Sequence, residues 1–173
     1  MAAIDLIVLG MLTKKPLSAY DIQKLVDYRK ISKWVKISTP SIYKKVIQLE
    51  EKGYITSTTI KEGKMPEKAV YSLTAAGEKE FEKLMMEMSC KPIHIFLDFN
   101  AVIVNLHSLP KEKQKLCIEN IEDNLTVLKT YLQDNINIKE MSPDIPKTGM
   151  AVLQQQFILV QAIETWIDSI KEQ

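Results

Sequence analysis

The feature that most limits what this chain can become is a change of period at Gly53. Before it, STPSIYKKVIQLEEKG spaces Ile42, Val46 and Leu49 at i, i+4 and i+7, which is one buried stripe of a helix. After it come two β-branched runs, YITSTTI at 54–60 and KAVYSLT at 68–74, joined by KEGKMPE with Gly63 and Pro66. Two such runs around a glycine-proline tip predict a hairpin. A helix that runs straight into a hairpin leaves few folds to choose from, and the segments upstream narrow the choice further.

Residues 2–12 predict a helix that is apolar on most sides (Ile4, Ile7, Val8, Leu9, Met11, Leu12), hence a hub buried from several directions. A turn at Lys14-Lys15-Pro16 leads to Ser18-Ala19-Tyr20-Asp21, a capping-box start for a second helix ending near residue 29, with Ile22, Leu25 and Val26 as its stripe. Residues 30–38 form a basic connector, with Lys30, Lys33 and Lys36 around Trp34. The third helix spans about 40–52, with Thr39 as cap and Pro40 at the first helical position. Beyond the hairpin, Thr74 caps a helix carrying Phe81, Leu84, Met85 and Met88, although Gly77 stands where a full capping box has Glu or Gln.

Helix, helix, helix, hairpin is the order of a winged helix-turn-helix, with the third helix as groove reader and the hairpin as wing. Ser41, Lys44, Lys45 and Gln48 fall opposite the apolar stripe and are expected to face outward. The expected DNA-facing set is Lys36, Ser38, Thr39, Ser41, Tyr43, Lys44 and Lys45, with Lys64 and Lys68 from the wing. These types favour phosphate contacts, so specificity is expected to rest in part on groove shape or the wing.

From Pro92 the chain is expected to be helical again, through Ile93, Phe96, Leu97, Phe99, Ile103 and Leu106, ending before Pro110. A helix over about 111–136 spaces Ile118, Ile121, Leu125, Leu128 and Leu132 by threes and fours, a short coiled-coil-like seam. After the connector MSPDIPKTG (141–149), a last helix to about 171 carries two stripes: Leu153, Phe157, Val160 and Ile167, and Leu159, Ile163, Trp166 and Ile170. Such a helix needs two neighbours, one of which is expected to be a second copy of the chain packed on the second stripe. The expected fold class is mainly α with a small β-hairpin wing: a DNA-binding domain over 1–90 and a helical dimerisation and effector domain over 91–173.

Charge divides along the same line. Residues 1–75 hold 13 Lys+Arg against 7 Asp+Glu, and residues 76–173 hold 10 against 15, so a net charge of +1 conceals a basic front and an acidic back. Two cysteines, Cys90 and Cys117, make no disulfide framework, which points to a reducing cytoplasm. The N-terminal stretch AAIDLIVLGML contains Asp5 and lacks a basic leader, so it reads as a core helix, and no run approaches the ~20 apolar residues of a membrane span. No glycine-rich phosphate loop or nucleophile motif argues for an enzyme, and no cofactor is expected. Two other readings stand beside DNA binding: a winged helix that docks on protein, and a metal-responsive sensor using Cys90, His94, His107 and Cys117, against which Pro92 breaks the simple helical spacing.

The first ~90 residues resemble the PadR family of bacterial transcriptional regulators, through IVLGML, KKPLSAYDI, Trp34, SIYKKVIQLEEKGYI and AVYSLTAAGEKEFEKL in that order. The remainder looks like the longer, Vir-like branch of the family in length and helical pattern. The resemblance implies a winged helix-turn-helix, a helical domain that dimerises, and repression relieved by a small molecule. Carried onto this chain, its DNA-facing positions are the start of the third helix and the wing lysines. The wing departs from the family's Gly-Arg-Pro-like run, reading Gly63-Lys64-Met65-Pro66-Glu67-Lys68. The expected partners are double-stranded DNA, a second copy and an apolar or aromatic effector held near Tyr28, Trp34 and Trp166, with no membrane contact.

Overall fold

The computed structural model describes residues 2–35, 38–61 and 67–171, which fall into two compact units, 1–93 and 94–173. In the first, α1 (Ala2–Leu12) is followed by a two-residue strand β1 (Leu17–Ser18), α2 (Ala19–Tyr28), a 3-10 turn at Ile31–Lys33, α3 (Thr39–Glu51), β2 (Ile55–Ile60), β3 (Lys68–Leu73) and α4 (Ala75–Ser89). The hairpin pairs Ile55 with Leu73 through to Ile60 with Lys68. β1 adds a third antiparallel strand outside β3, with Leu17 opposite Tyr71 and Ser18 opposite Val70. The expected hairpin is therefore part of a three-stranded sheet, and two residues are too short a run to show a strand's alternation in sequence.

Helix α1 is the hub that its composition predicts. Val8, Leu9, Met11 and Leu12 are buried, and the helix packs against α3, α4 and β3. The same core takes Ile22 and Val26 from α2, Ile42, Val46 and Leu49 from α3, Ile55 from β2 and Leu84 from α4. Full burial of each such side chain contributes roughly 1.5–3 kcal/mol.

The step from α3 into the hairpin is built from backbone chemistry. Gly53, at φ +73°, follows the helix, with its amide bonded to Glu50 O (2.8 Å) while the amide of Tyr54 reaches Leu49 O (3.0 Å). Those two bonds are a Schellman motif, and its left-handed residue is best filled by glycine. Thr74 closes the far side: its hydroxyl donates to Gly53 O (2.7 Å) and accepts from the amide of Gly77 (3.1 Å) as the cap of α4. A Cβ on Gly77 would stand 2.0 Å from Tyr54 O, so the residue that weakens the capping-box signature is there to let two backbones touch.

The second unit is a helical hairpin, α6 (Lys111–Glu140) against α7 (Lys147–Lys171), preceded by the short α5 (Asn100–Ile103) and a 3-10 turn at Leu106–Ser108. Its core is Ile118, Leu125, Leu132 and Ile136 with Leu153, Val160 and Ile167. Both helices thus repeat at seven residues, the spacing of a left-handed coiled seam. Lys129 to Glu164 (2.6 Å) and Lys171 to Glu122 pin the antiparallel register. The expected helix from Pro92 is corrected: no helix begins before Asn100, and Ile93, Ile95 and Phe96 stand exposed. Pro92 cannot donate to a helix continuing from α4, and inward packing begins only further on, where Ile103 and Leu106 reach the second core.

Two tests follow from these contacts. Gly77→Ala is expected to cost about 3 kcal/mol, read as a lower urea midpoint in a Trp166→Phe background where Trp34 is the sole tryptophan. In the α2 capping box, Ser18 Oγ donates to Asp21 Oδ2 (2.6 Å), and this bond above all holds the Asp21 carboxyl below its ordinary value. A depressed carboxylate stabilises above its unfolded pKa, and the contribution fades as pH falls through the folded value. Asp21→Asn is therefore expected to flatten the acid limb of the stability profile and leave its slope at neutral pH unchanged.

Candidate nucleic-acid interface

Helices α2 and α3 form the helix-turn-helix pair, tied by Tyr43 Oη donating to Gln23 Oε1 (3.2 Å). The cap of α3 is Ser38, one residue before the expected Thr39, with Pro40 at the second helical position. The amide of Ser38 donates to Ser41 Oγ (3.1 Å), so Ser41 is occupied at the helix start and is half-buried. Ser38 and Pro40 are exposed there. Two more expected residues, Lys36 and Lys64, lie outside the described residues, as does the side chain of Thr39.

The expectation that Lys44 and Lys45 both face outward is corrected. Lys45 is buried, and its Nζ lies 2.7 Å from Asp5 Oδ1 on α1, a short ion contact without aligned hydrogen-bond geometry. The cause is helical phase: residue 45 stands three after Ile42 and four before Leu49, inside the packed stripe. A charge placed there needs a counter-charge, which Asp5 supplies. The outward face is instead Pro40, Tyr43, Lys44, Ile47 and Glu51, with Gln48 half-buried at its edge.

Beside this face lies an open hollow of about 590 Å³, lined by Ser18, Tyr20, Lys24, Tyr43, Lys68 and Tyr71 among others. Lys24 Nζ sits 4.6 Å above the Tyr20 ring, a cation-π contact that leaves the ammonium at the surface. Burial, with a lesser push from Glu50, raises the Tyr71 phenol, so it stays a neutral hydroxyl. Lysines and hydroxyls around a concave surface at the N-terminus of α2 suit a phosphate backbone, with the Asp21 carboxylate of the capping box as the one acidic group in the lining. Tyr20 and Lys24 were not among the sequence candidates: in SAYDIQKL they read as helix-start and surface residues, and only the fold brings them beside Tyr43 and Lys68.

The aromatic candidates divide between the units. Tyr28 and Trp34 are exposed in the first; Trp166, in the second, lies 6.1 Å from Phe99 ring to ring. On α7, Leu159 and Trp166 are exposed while Ile163 and Ile170 are half-buried against the α6–α7 core, so the second stripe is open only in part in the single chain. Among the described residues no three His, Cys, Asp or Glu side chains are grouped to hold a metal ion, and no helix is long and apolar enough to cross a membrane.

Residues 8–83 match the model of the Transcriptional regulator PadR-like family. Over these residues, less than half of its length, the chain is similar to the PadR-like family. The chain shares its fold with Bacillus subtilis PadR in complex with operator DNA (TM-score 0.82, 23% identity, 97% of this chain and 96% of that one). The same protein in complex with p-coumaric acid aligns with a TM-score of 0.79 at 21% identity, over 96% and 92% of the two chains. The Vibrio cholerae virulence activator AphA aligns with a TM-score of 0.70 at 20% identity, over 96% and 95%. Among curated proteins, no sequence matches significantly.

The two adjacent lysines make the placement testable. Lys45→Ala strands Asp5 in the core and is expected to cost about 2–4 kcal/mol, with Asp5→Leu plus Lys45→Met restoring most of it. Lys44→Ala is expected to stay within about 0.5 kcal/mol of the parent. Denaturation midpoints of the four proteins decide it.

Proposed function

We propose that this PadR-like regulator is a homodimeric, sequence-specific DNA-binding repressor that a small apolar or aromatic molecule releases from its operator. The observation that carries the reading is α3, whose inner face is wholly taken up by packing and by Asp5, while Tyr43 and Lys44 project outward beside the Lys24 and Lys68 hollow. In this reading residues 1–90 are the DNA-binding domain, with Ser38, Thr39, Ser41, Tyr43 and Lys44 at the groove and Lys36, Lys64 and Lys68 on the flanks. Residues 91–173 dimerise through Leu159, Ile163, Trp166 and Ile170, which supports two copies reading two half-sites. The shared fold with a PadR solved on operator DNA and with p-coumaric acid supports both the DNA partner and an effector of that chemical kind, held near Tyr28, Trp34 or Trp166. The place of action is the cytoplasm, and the protein regulates rather than catalyses.

The test is fluorescence anisotropy on DNA selected from a random pool by the full-length protein, titrated with salt. Nanomolar, competitor-resistant binding is expected, with log affinity falling linearly in log salt. Lys44→Ala is expected to reduce that slope by roughly one per DNA-bound helix. A Leu159→Glu, Trp166→Glu double variant is expected to sediment as a monomer and to bind at the nonspecific level. Failure to enrich any sequence, or an unchanged slope, would count against the reading.

A further inference from the structure

We propose that Ile47 reads a base, selecting thymine by packing on its C5-methyl group in the major groove. The proposal rests on the DNA-binding reading of α3 and deepens it. The other apolar residues of that helix, Ile42, Val46 and Leu49, are 1% exposed, whereas Ile47 is 54% exposed. It stands one turn beyond Tyr43, which is 41% exposed, and three residues after Lys44, so the three side chains make one ridge on the outward face. A lone exposed isoleucine is ordinary on an arbitrary surface. Here it occupies the middle of the one face that a groove would receive.

The chemistry narrows what such a ridge can recognise. Of the groups that base pairs display in the major groove, the thymine methyl is the apolar one. A β-branched side chain in a helix is held in essentially one rotamer, so Ile47 is a preformed knob that loses little freedom on contact. The same face carries no arginine or asparagine, and with Gln48 half-buried at its edge and Lys44 free to meet either phosphate or guanine, Ile47 is the side chain on the ridge suited to the methyl.

The experiment uses the full-length protein and the site enriched from a random DNA pool. Each thymine of that site is replaced in turn by deoxyuridine, which removes the methyl and nothing else. Wild-type affinity is expected to fall roughly 3- to 10-fold at one position in each half-site, and Ile47→Ala is expected to bind thymine and deoxyuridine equally there. Uniform tolerance of deoxyuridine by a protein that still selects a site would overturn the proposal while leaving the regulator reading intact. Failure to select any site would remove both. A changed sedimentation mass for Ile47→Ala would assign the residue to a contact between copies and overturn it as well.

Discussion

Helix α3 can present one face only because the other is completely used. Ile42, Val46 and Leu49 lock it to the core centred on α1, and the Lys45–Asp5 contact fills the remaining inward position with a neutralised charge. An unpaired lysine there would either rotate the helix or leave the pocket. With the phase fixed, Tyr43, Lys44 and Ile47 have no choice of direction. The end of the helix is fixed equally firmly: the Schellman bonds at Gly53, the Thr74 hydroxyl and the close approach at Gly77 join α3, the hairpin and α4 through the backbone. The wing is therefore anchored to the same hub as α3.

The second unit rests on a different kind of order. Seven-residue spacing in both α6 and α7 makes one continuous seam, and the cross-helix ion pairs choose its register. That seam consumes Leu153, Val160 and Ile167 and leaves the Leu159 and Trp166 stripe unspent. A long two-helix hairpin has little other surface to bury, so the exposed Leu159 and Trp166 are where the proposed second copy would gain most.

Most of the fold was legible in the residues, because periodicity and caps act locally. The order of the first seven elements' major members, the Ser18–Asp21 box, the Thr74 cap and the buried stripe of α7 all follow from side-chain spacing and hydrogen-bond chemistry. What was misread depends on partners distant in sequence. Lys45 stands three after Ile42 and four before Leu49, so its inward phase is in the spacing, but only Asp5, forty residues away, makes its burial tolerable. β1 carries too few residues to show a pattern, and the helix expected from Pro92 relied on apolar content, although Ile93, Ile95 and Phe96 share no buried face. For the candidate site, Tyr43 and Lys44 were visible in the helix pattern, whereas Tyr20 and Lys24 join them only through the packing of α2 against α3 and β3.

The central claim is the phase of α3, and amine-reactive labelling with mass spectrometry tests it most directly. In the free protein Lys44, Lys24 and Lys68 are predicted to label readily and Lys45 hardly at all. On the selected DNA, Lys44, Lys24 and Lys68 are predicted to become protected, while the lysines of α6 keep their reactivity. Equal labelling of Lys44 and Lys45 in the free protein, or a Lys44 that reacts as fast on DNA as off it, would contradict the account.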